Sequence, residues 1–472
     1  MSSQSVQQKK KIAIVGAGLV GALQACFMAE KGYHVEVYEM RDDIRKSEKV
    51  FGRSINLALS CRGKEALRML GLEDEVTKNG IEMFGRMVHD YKGGTKFIPY
   101  GKENEAIMSI DRRKFNELLI SAAESYSSVY INYCHKLVDC AFDRRELTFE
   151  KSETKELKTV KFDIVMGCDG AYSNLRFNIM KNTKLQYSQE YIPDRYMELR
   201  IPPNADGSFM MPKNYLHLWP RTTFMLIGLP NVPDHSFVMT LFAPYQIFES
   251  LDSDRKVIEF FRANFVDALE MMGEAFVTNA FRTLPPLPLV SVKCKPYNLE
   301  DYGVLLGDAA HAMVPFYGQG LNCGFEDLIV FNEFMEKYDH DFKKVLPEFS
   351  EYRSIDAQAM NDLAMRNYKE MKADVNSRLF ILRKKLDNIL YWMLPKTWVP
   401  LYTSVSFSRI RYHQCMANRD WQDKVINRAV VTLLCCTMAG LTYLGFNMGY
   451  FAKLNSRLAP WCSRVTEMIN FK

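Results

Sequence analysis

The chain opens on a short apolar, β-branched run, Ile12-Ala13-Ile14-Val15. A glycine-rich stretch, Gly16-Ala17-Gly18-Leu19-Val20-Gly21, follows at once, and then small and apolar residues from Ala22 to Ala29. The pattern predicts a strand, a tight loop and a helix that Gly32 closes. His34 to Glu39 alternates into a second strand that ends in an acid. Two later apolar runs also end in acids. Phe162 to Gly167 leads into Cys168-Asp169-Gly170, then a polar turn and Arg176; Gly303 to Leu306 leads into Gly307-Asp308-Ala309-Ala310-His311. The segment Gly318-Gln319-Gly320-Leu321-Asn322 starts a helix through Cys323 to Glu333. Residues 340 to 425 repeat apolar positions at helical spacing, as at Leu363, Tyr368 and Met371 or Leu379, Leu382 and Leu386, and predict a helical domain capping the substrate side. Ala429 to Ala452 contains no charged residue and is bracketed by Arg428 and Lys453. That length suffices to span a bilayer, and Tyr443 and Tyr450 suit an interface.

Each part of the first motif has a physical role. Gly16 permits a tight turn, Gly18 lets backbone approach a pyrophosphate, and Gly21 lets helix pack on strand. The helix N-terminus offers unpaired N–H groups to phosphates, with Leu19 and Val20 in its first turn. Glu39 is placed to accept hydrogen bonds from ribose hydroxyls. The motif alone does not separate FAD from NAD. The late Asp308 places a carboxylate where a polyol hydroxyl could be held. Read singly, Asp169-Gly170 is also a common turn, Asp308 a helix cap, and His311 a packed histidine.

Composition narrows the classes. The 472 residues carry a net charge of +5, too small an imbalance to argue for nucleic acid. The 11 cysteines form no C-x-x-C pair and sit in apolar contexts such as Cys26, Cys168 and Cys323, which reads as reduced buried thiols. No Cys/His spacing suits zinc, so no metal is expected. The basic start, with Lys9, Lys10 and Lys11, lacks the apolar core of a secretory signal.

In this order, the three motifs resemble the flavoprotein aromatic hydroxylases, single-component monooxygenases with the para-hydroxybenzoate hydroxylase fold. The resemblance covers most of residues 10 to 330. It extends over nearly the whole chain through Gly52-Arg53-Ser54-Ile55-Asn56-Leu57-Ala58-Leu59-Ser60, Arg86, Pro99-Tyr100-Gly101, Arg112-Arg113-Lys114-Phe115, His311 to Gly320, Asn367-Tyr368 and Tyr402. It implies bound FAD and transient NADPH. The chain has no second G-x-G-x-x-G, which fits a family without a dedicated NADPH domain. It also implies hydroxylation of L-kynurenine by O2 through a flavin C4a-hydroperoxide. By the same resemblance, Arg86 and Tyr100 bind the substrate carboxylate, and Asn367 and Tyr402 complete the amino-acid site. Met225, Ile227, Phe242, Pro315 and Phe316 wall the ring pocket. Gly16, Gly18, Leu19, Val20, Gly21, Glu39, Arg41, Leu57, Ala58, Arg113, Asp169, Asp308, Gly318, Gly320, Leu321 and Asn322 surround FAD. No general acid or base is assigned, because the aniline nitrogen already activates the ring.

The expected fold is α/β. A Rossmann-like FAD-binding domain (8–60, 102–185 and 290–340) interleaves with a β-sheet substrate domain (61–101 and 186–289). A C-terminal helical domain (341–428), a membrane helix (429–452) and a tail (453–472) follow. The family further implies the mitochondrial outer membrane, with the enzyme facing the cytosol. Two rivals stay open: a related hydroxylase of another aromatic compound, and a membrane-tethered flavoprotein without turnover.

Overall fold

The computed structural model describes residues 10–47, 56–101, 105–372, 377–447, 458–461 and 464–466. Lys9, Gly52 to Ile55 of the distinctive motif, the end of the charge-free run with Tyr450, Lys453 and most of the expected tail lie outside the described residues. So do parts of the expected domain ranges, at 8–9, 48–55, 102–104 and 373–376.

Strand Lys11–Val15 lies inside a six-stranded sheet, paired in parallel with His34–Tyr38 on one side and Ile164–Gly167 on the other. Gly303–Leu305 pairs in parallel with Ile164–Gly167. Three separate apolar runs therefore become neighbours, and their carboxyl ends gather the three motifs. Helix α1, Leu19–Glu30, is buried along most of its length. Small residues permit that packing: a Cβ on Gly21 would lie 2.0 Å from the Gly16 carbonyl oxygen. Gly32, at φ +76°, ends the turn after the helix and donates to Ala29 O at 2.7 Å.

A seven-stranded sheet forms the second layer. Its order is Leu287–Lys295, Gln186–Ile201, Phe237–Pro244, Met225–Pro230, Leu216–Pro220, Gly85–His89 and Thr95–Pro99. Alternation along its strands separates two faces. Leu226, Phe237, Met239 and Leu241 join Trp219, Phe261 and Phe265 in one apolar core. Met225, Ile227 and Phe242 occupy the alternate positions, and Met225 pairs directly with Phe242. These three are buried as well, on the opposite face.

Helices α2 (Gly320–Lys337), α3 (Phe342–Lys372) and α4 (Arg378–Met393) follow, and the chain then enters α5 (Tyr412–Asn447). The chain divides into two compact units, Met1–Cys415 and Met416–Lys472, and this boundary falls inside the expected helical domain of 341–428. The long helix begins well before Ala429, since neither Pro nor Gly interrupts the chain from Tyr412 to Ala439. Tyr412–Leu444 is long enough to cross a membrane and contains an 18-residue window with a mean hydropathy of 1.6, and Leu433, Leu434, Met438 and Leu441 are exposed. Leu363, Tyr368 and Met371 are buried on α3 as their spacing suggests, whereas Leu379, Leu382 and Leu386 on α4 are exposed.

Candidate active site

The glycine loop closes against the second motif. Gly16 has φ +99°, and a Cβ there would lie 2.5 Å from Cys168 O. A Cβ at Gly18 would meet nothing within 4 Å, and no side chain caps α1. The first-turn N–H groups of Leu19 and Val20 thus face an open approach. Glu39 sits at the loop: its carboxylate accepts from Ala17 N at 2.8 Å and Arg41 N at 3.0 Å. The Arg41 side chain is largely exposed.

The late motif is packed onto α1. Gly307 has φ +57°, and a Cβ on it would come 2.9 Å from Val20 Cγ2. Asp308 follows as the first residue of a short helix, with no hydrogen bond or ion pair to any described residue. Its carboxylate is free to accept from a ligand. Gly318 abuts Ala58, since a Cβ there would lie 2.9 Å from the Ala58 Cβ. Asn322 secures this junction, donating to Ala58 O and Gly318 O at 2.8 Å each and accepting from Ser60 N at 2.8 Å. Its side chain is a cross-brace, which leaves backbone at Gly318 and Gly320 as the polar surface. Leu57 and Leu321 flank the same junction and are half-buried.

Two further expected cofactor residues, Asp169 and Arg113, also have their side chains engaged within the protein. Asp169 accepts from the Ser173 hydroxyl at 2.5 Å and Leu175 N at 3.1 Å. Burial raises its carboxyl above the ordinary value, against those bonds. Arg113 donates to Ile44 O at 2.6 Å and Ser47 O at 2.5 Å, and pairs with Glu117 at 2.8 Å. It braces the 44–47 turn. Arg176 is fully buried and donates to Ala309 O at 2.6 Å and Ala171 O at 2.7 Å, which ties the second motif to the third.

Behind these motifs lies a buried charge network. Asp327 accepts from Gly307 N at 2.9 Å, His311 Nε2 at 2.6 Å and Arg353 Nε at 2.7 Å. Burial opposes charge on His311, but Asp327 holds its pKa well above the ordinary value. Glu326 joins Arg353 to Arg62, whose ion pair spans 2.5 Å. His311, Cys323 and Asp327 are close enough to hold a metal ion. Both Asp327 oxygens already have donors, however, and the Arg353 guanidinium supplies the positive charge. His311 is a packed, buried histidine.

The expected substrate residues Arg86, Tyr100, Asn367 and Tyr402 come together on the other face of the second sheet. Arg86 and Tyr100 are each only 6% exposed. The Arg86 guanidinium lies 5.3 Å from the Tyr402 ring centre and 6.0 Å from that of Tyr100. Tyr100 and Tyr402 stack at 4.9 Å, and Tyr317 stacks on Tyr402 at 5.5 Å. Asn367 donates to Phe316 O at 2.7 Å, and its oxygen is 3.5 Å from Arg86. Phe242 meets Phe316 edge-on at 5.0 Å, so the apolar wall adjoins the polar end. Pro315 and Phe316 belong to one 3-10 turn. The Tyr100 hydroxyl is buried and makes no well-formed hydrogen bond.

Three neighbours were missed in the sequence. Glu370 pairs with Arg86 at 3.3 Å. Burial opposes the Arg86 charge, but Glu370 holds it above its ordinary value. Glu370 lies three residues after Asn367, one helical turn on, and that spacing was available as a signal. Tyr317 follows Phe316 directly. Lys384 donates to Pro99 O at 3.2 Å; burial and then Arg86 push its ammonium down to about 8.

Known proteins match this arrangement. The family model described as an FAD binding domain matches residues 9–333. A kynurenine 3-monooxygenase of Anopheles gambiae is 48% identical over 455 residues, covering 96% of this chain and 93% of its own. One of Sus scrofa is 46% identical, covering 98% of both chains. Among solved structures, P. aeruginosa PqsL in complex with 2-aminobenzoylacetate aligns with a TM-score of 0.62 at 15% identity, over 77% of this chain and 97% of its own. The tetrameric form of 2-methyl-3-hydroxypyridine-5-carboxylic acid oxygenase gives 0.61 at 17%, over 78% and 93%. At such identities these two establish the shared fold.

Proposed function

We infer from its place in the kynurenine 3-monooxygenase family of FAD-binding hydroxylases, to which the chain belongs, that this protein converts L-kynurenine to 3-hydroxykynurenine. The observation that carries the substrate reading is the buried Arg86 guanidinium beside a buried Tyr100 hydroxyl that makes no well-formed hydrogen bond.

The residues fit FAD. The pyrophosphate suits the loop from Gly16 to Gly21, the ribose Glu39, the ribityl chain Asp308, and the isoalloxazine the backbone of 318–322. Leu57, Ala58, Arg41, Arg113 and Asp169 shape the surround. When bound and reduced by NADPH, FAD would activate O2, one atom of which enters the ring while the other leaves as water.

The chain's own residues bind, orient and dry the substrate. The carboxylate takes the Arg86 fork, with Tyr100 donating beside it. Glu370, whose contact with Arg86 is a long 3.3 Å, then faces the α-ammonium. Asn367 is fixed by its bond to Phe316 O and joins the polar end. Met225, Ile227, Phe242, Pro315 and Phe316 hold the aromatic ring and exclude water, which limits wasteful release of peroxide. No protein base is needed, because the aniline nitrogen activates the carbon ortho to it.

Helix α5 serves as an anchor in this reading, holding the enzyme on the cytosolic face of the mitochondrial outer membrane; its apolar length supports this. The test of the reaction is NADPH oxidation by the FAD-loaded, detergent-solubilised protein with and without L-kynurenine, with 3-hydroxykynurenine quantified. Stimulated oxidation matched by product is expected. A flavin-replete sample that L-kynurenine leaves unstimulated would overturn the substrate assignment.

A further inference from the structure

Helix α4 is built with its polar side inward. Asp387 is buried, accepting from Arg383 Nε at 3.0 Å and Trp398 Nε1 at 2.9 Å. On the same side Lys384 reaches Pro99 O. These bonds fix the helix rotation. Its other side carries Leu379, Leu382, Leu386, Ile389 and Met393, a continuous stripe at helical spacing, and every one is exposed. Leu379 is 79% exposed, Leu382 64%, and Trp392 on the flank 82%. Lys385 and Lys396 are exposed near the stripe. A soluble helix normally shows the reverse arrangement, and a contiguous apolar face of this kind marks a binding surface.

We propose that this face of α4 docks on a phospholipid bilayer, lying in the headgroup and acyl boundary as a second membrane contact. Three observations favour lipid over a protein partner. The stripe is aliphatic, with a tryptophan and lysines at its border, the arrangement of interfacial helices. The lysines complement anionic headgroups. The chain also brings its own bilayer: the charge-free run at Ala429 follows Met393 by 36 positions. This last point rests on the anchor reading of α5. An anchored chain makes the second contact intramolecular, so modest affinity suffices. One consequence concerns the substrate site, since Lys384, on the inward side of α4, holds the backbone beside Tyr100.

The test uses the full-length, FAD-loaded protein in vesicles of phosphatidylcholine with some phosphatidylserine. An environment-sensitive fluorescent amino acid replaces Leu386, Leu434 or Tyr130, one at a time, and retained flavin confirms folding. Acyl-brominated lipids then act as quenchers. The probe at 386 should lose about half of its emission, because an interfacial helix buries its apolar face roughly 5–10 Å into the boundary. The probe at 434 reports the anchor, and the one at exposed Tyr130 should be unaffected. Quenching at 434 with none at 386 overturns the docking and leaves the anchor standing. Quenching at 386 alone upholds the docking and overturns the anchor. No quenching at either overturns both. A blue shift at 386 that ignores brominated lipid but grows with protein density assigns the face to a second copy and overturns the proposal.

Discussion

Replacing Tyr100 with Phe removes one oxygen atom, and that atom has an unusual position. It is buried and makes no well-formed hydrogen bond in the free protein, although Tyr402 and Arg86 lie within electrostatic reach of it. The ring keeps its stacking on Tyr402 at 4.9 Å, because that contact does not involve the hydroxyl. Burial raises the phenol pKa well above its ordinary value, so the group is a neutral donor at any working pH. An unsatisfied buried hydroxyl costs about 1–3 kcal/mol in the folded state, so Tyr100→Phe should leave Tm unchanged or raise it. In the complex, the same hydroxyl donates to a carboxylate, a bond worth about 1.5–3 kcal/mol. Divided by 1.36 kcal/mol per decade, that predicts a KM for L-kynurenine raised about 10- to 150-fold. The carboxylate is far from the reacting carbon and is held equally before and during reaction, so kcat should change little. Steady-state kinetics with product quantification, alongside a thermal melt of the FAD-loaded protein, read both effects. An unchanged KM would remove Tyr100 from the substrate site. A lowered Tm would show that the hydroxyl serves the fold instead.

Arg86→Ala should raise KM strongly while FAD stays bound, since Arg86 touches Glu370 and Asn367 rather than the flavin motifs; loss of flavin on purification would refute its assignment. Glu39→Ala should weaken FAD binding in a flavin-fluorescence titration, because the carboxylate also holds Ala17 N; unchanged affinity counts against the ribose role. His311→Gln keeps a neutral N–H donor but removes the positive charge facing buried Asp327, and should cost about 3–5 kcal/mol in denaturant unfolding. Because the folded pKa of His311 is raised, its contribution is complete below the unfolded value of about 6.5 and is lost as pH rises through the folded value; a variant with the wild-type pH slope above that point would contradict the charge assignment. Truncation before Arg428 should make the protein extractable from membranes by alkaline carbonate, and resistance in a fractionation assay would sink the anchor reading.

The three motifs were legible because each carries local chemistry. Gly16 and Gly21 are glycines for contacts that no Cβ permits, and the acids stand at strand ends. What joins the motifs was not legible. Arg176 reaching Ala309 O, or Asn322 bridging Ala58 and Gly318, is a contact between distant segments that no spacing encodes. The same holds for Glu370. On a helix face it looks solvated, and only the fold brings Arg86 to it across 284 positions. The stripe on α4 shows the opposite failure. Leu379, Leu382 and Leu386 have core spacing, but periodicity records only that one face is apolar. It does not say whether protein or something else covers that face.

The Arg86–Glu370 pair bears on substrate choice. In the free protein each charge has the other as its partner at 3.3 Å. A substrate with a carboxylate alone takes the guanidinium and leaves Glu370 facing a site that Arg86 no longer neutralises. A zwitterionic amino acid supplies an ammonium for Glu370 as its carboxylate takes Arg86, so both charges stay compensated. Discrimination of this kind rests on the penalty imposed on the wrong ligand rather than on an added attraction for the right one. Lys384, whose ammonium burial and Arg86 push down to about 8, keeps most of its charge at neutral pH and interacts with Glu370 as well. In the proposed site the polar end is thus better matched to an amino acid than to an acid, and the apolar end from Met225 to Phe316 asks only for a flat ring. On that proposal the charge pair selects among aromatic compounds that the walls alone would accept.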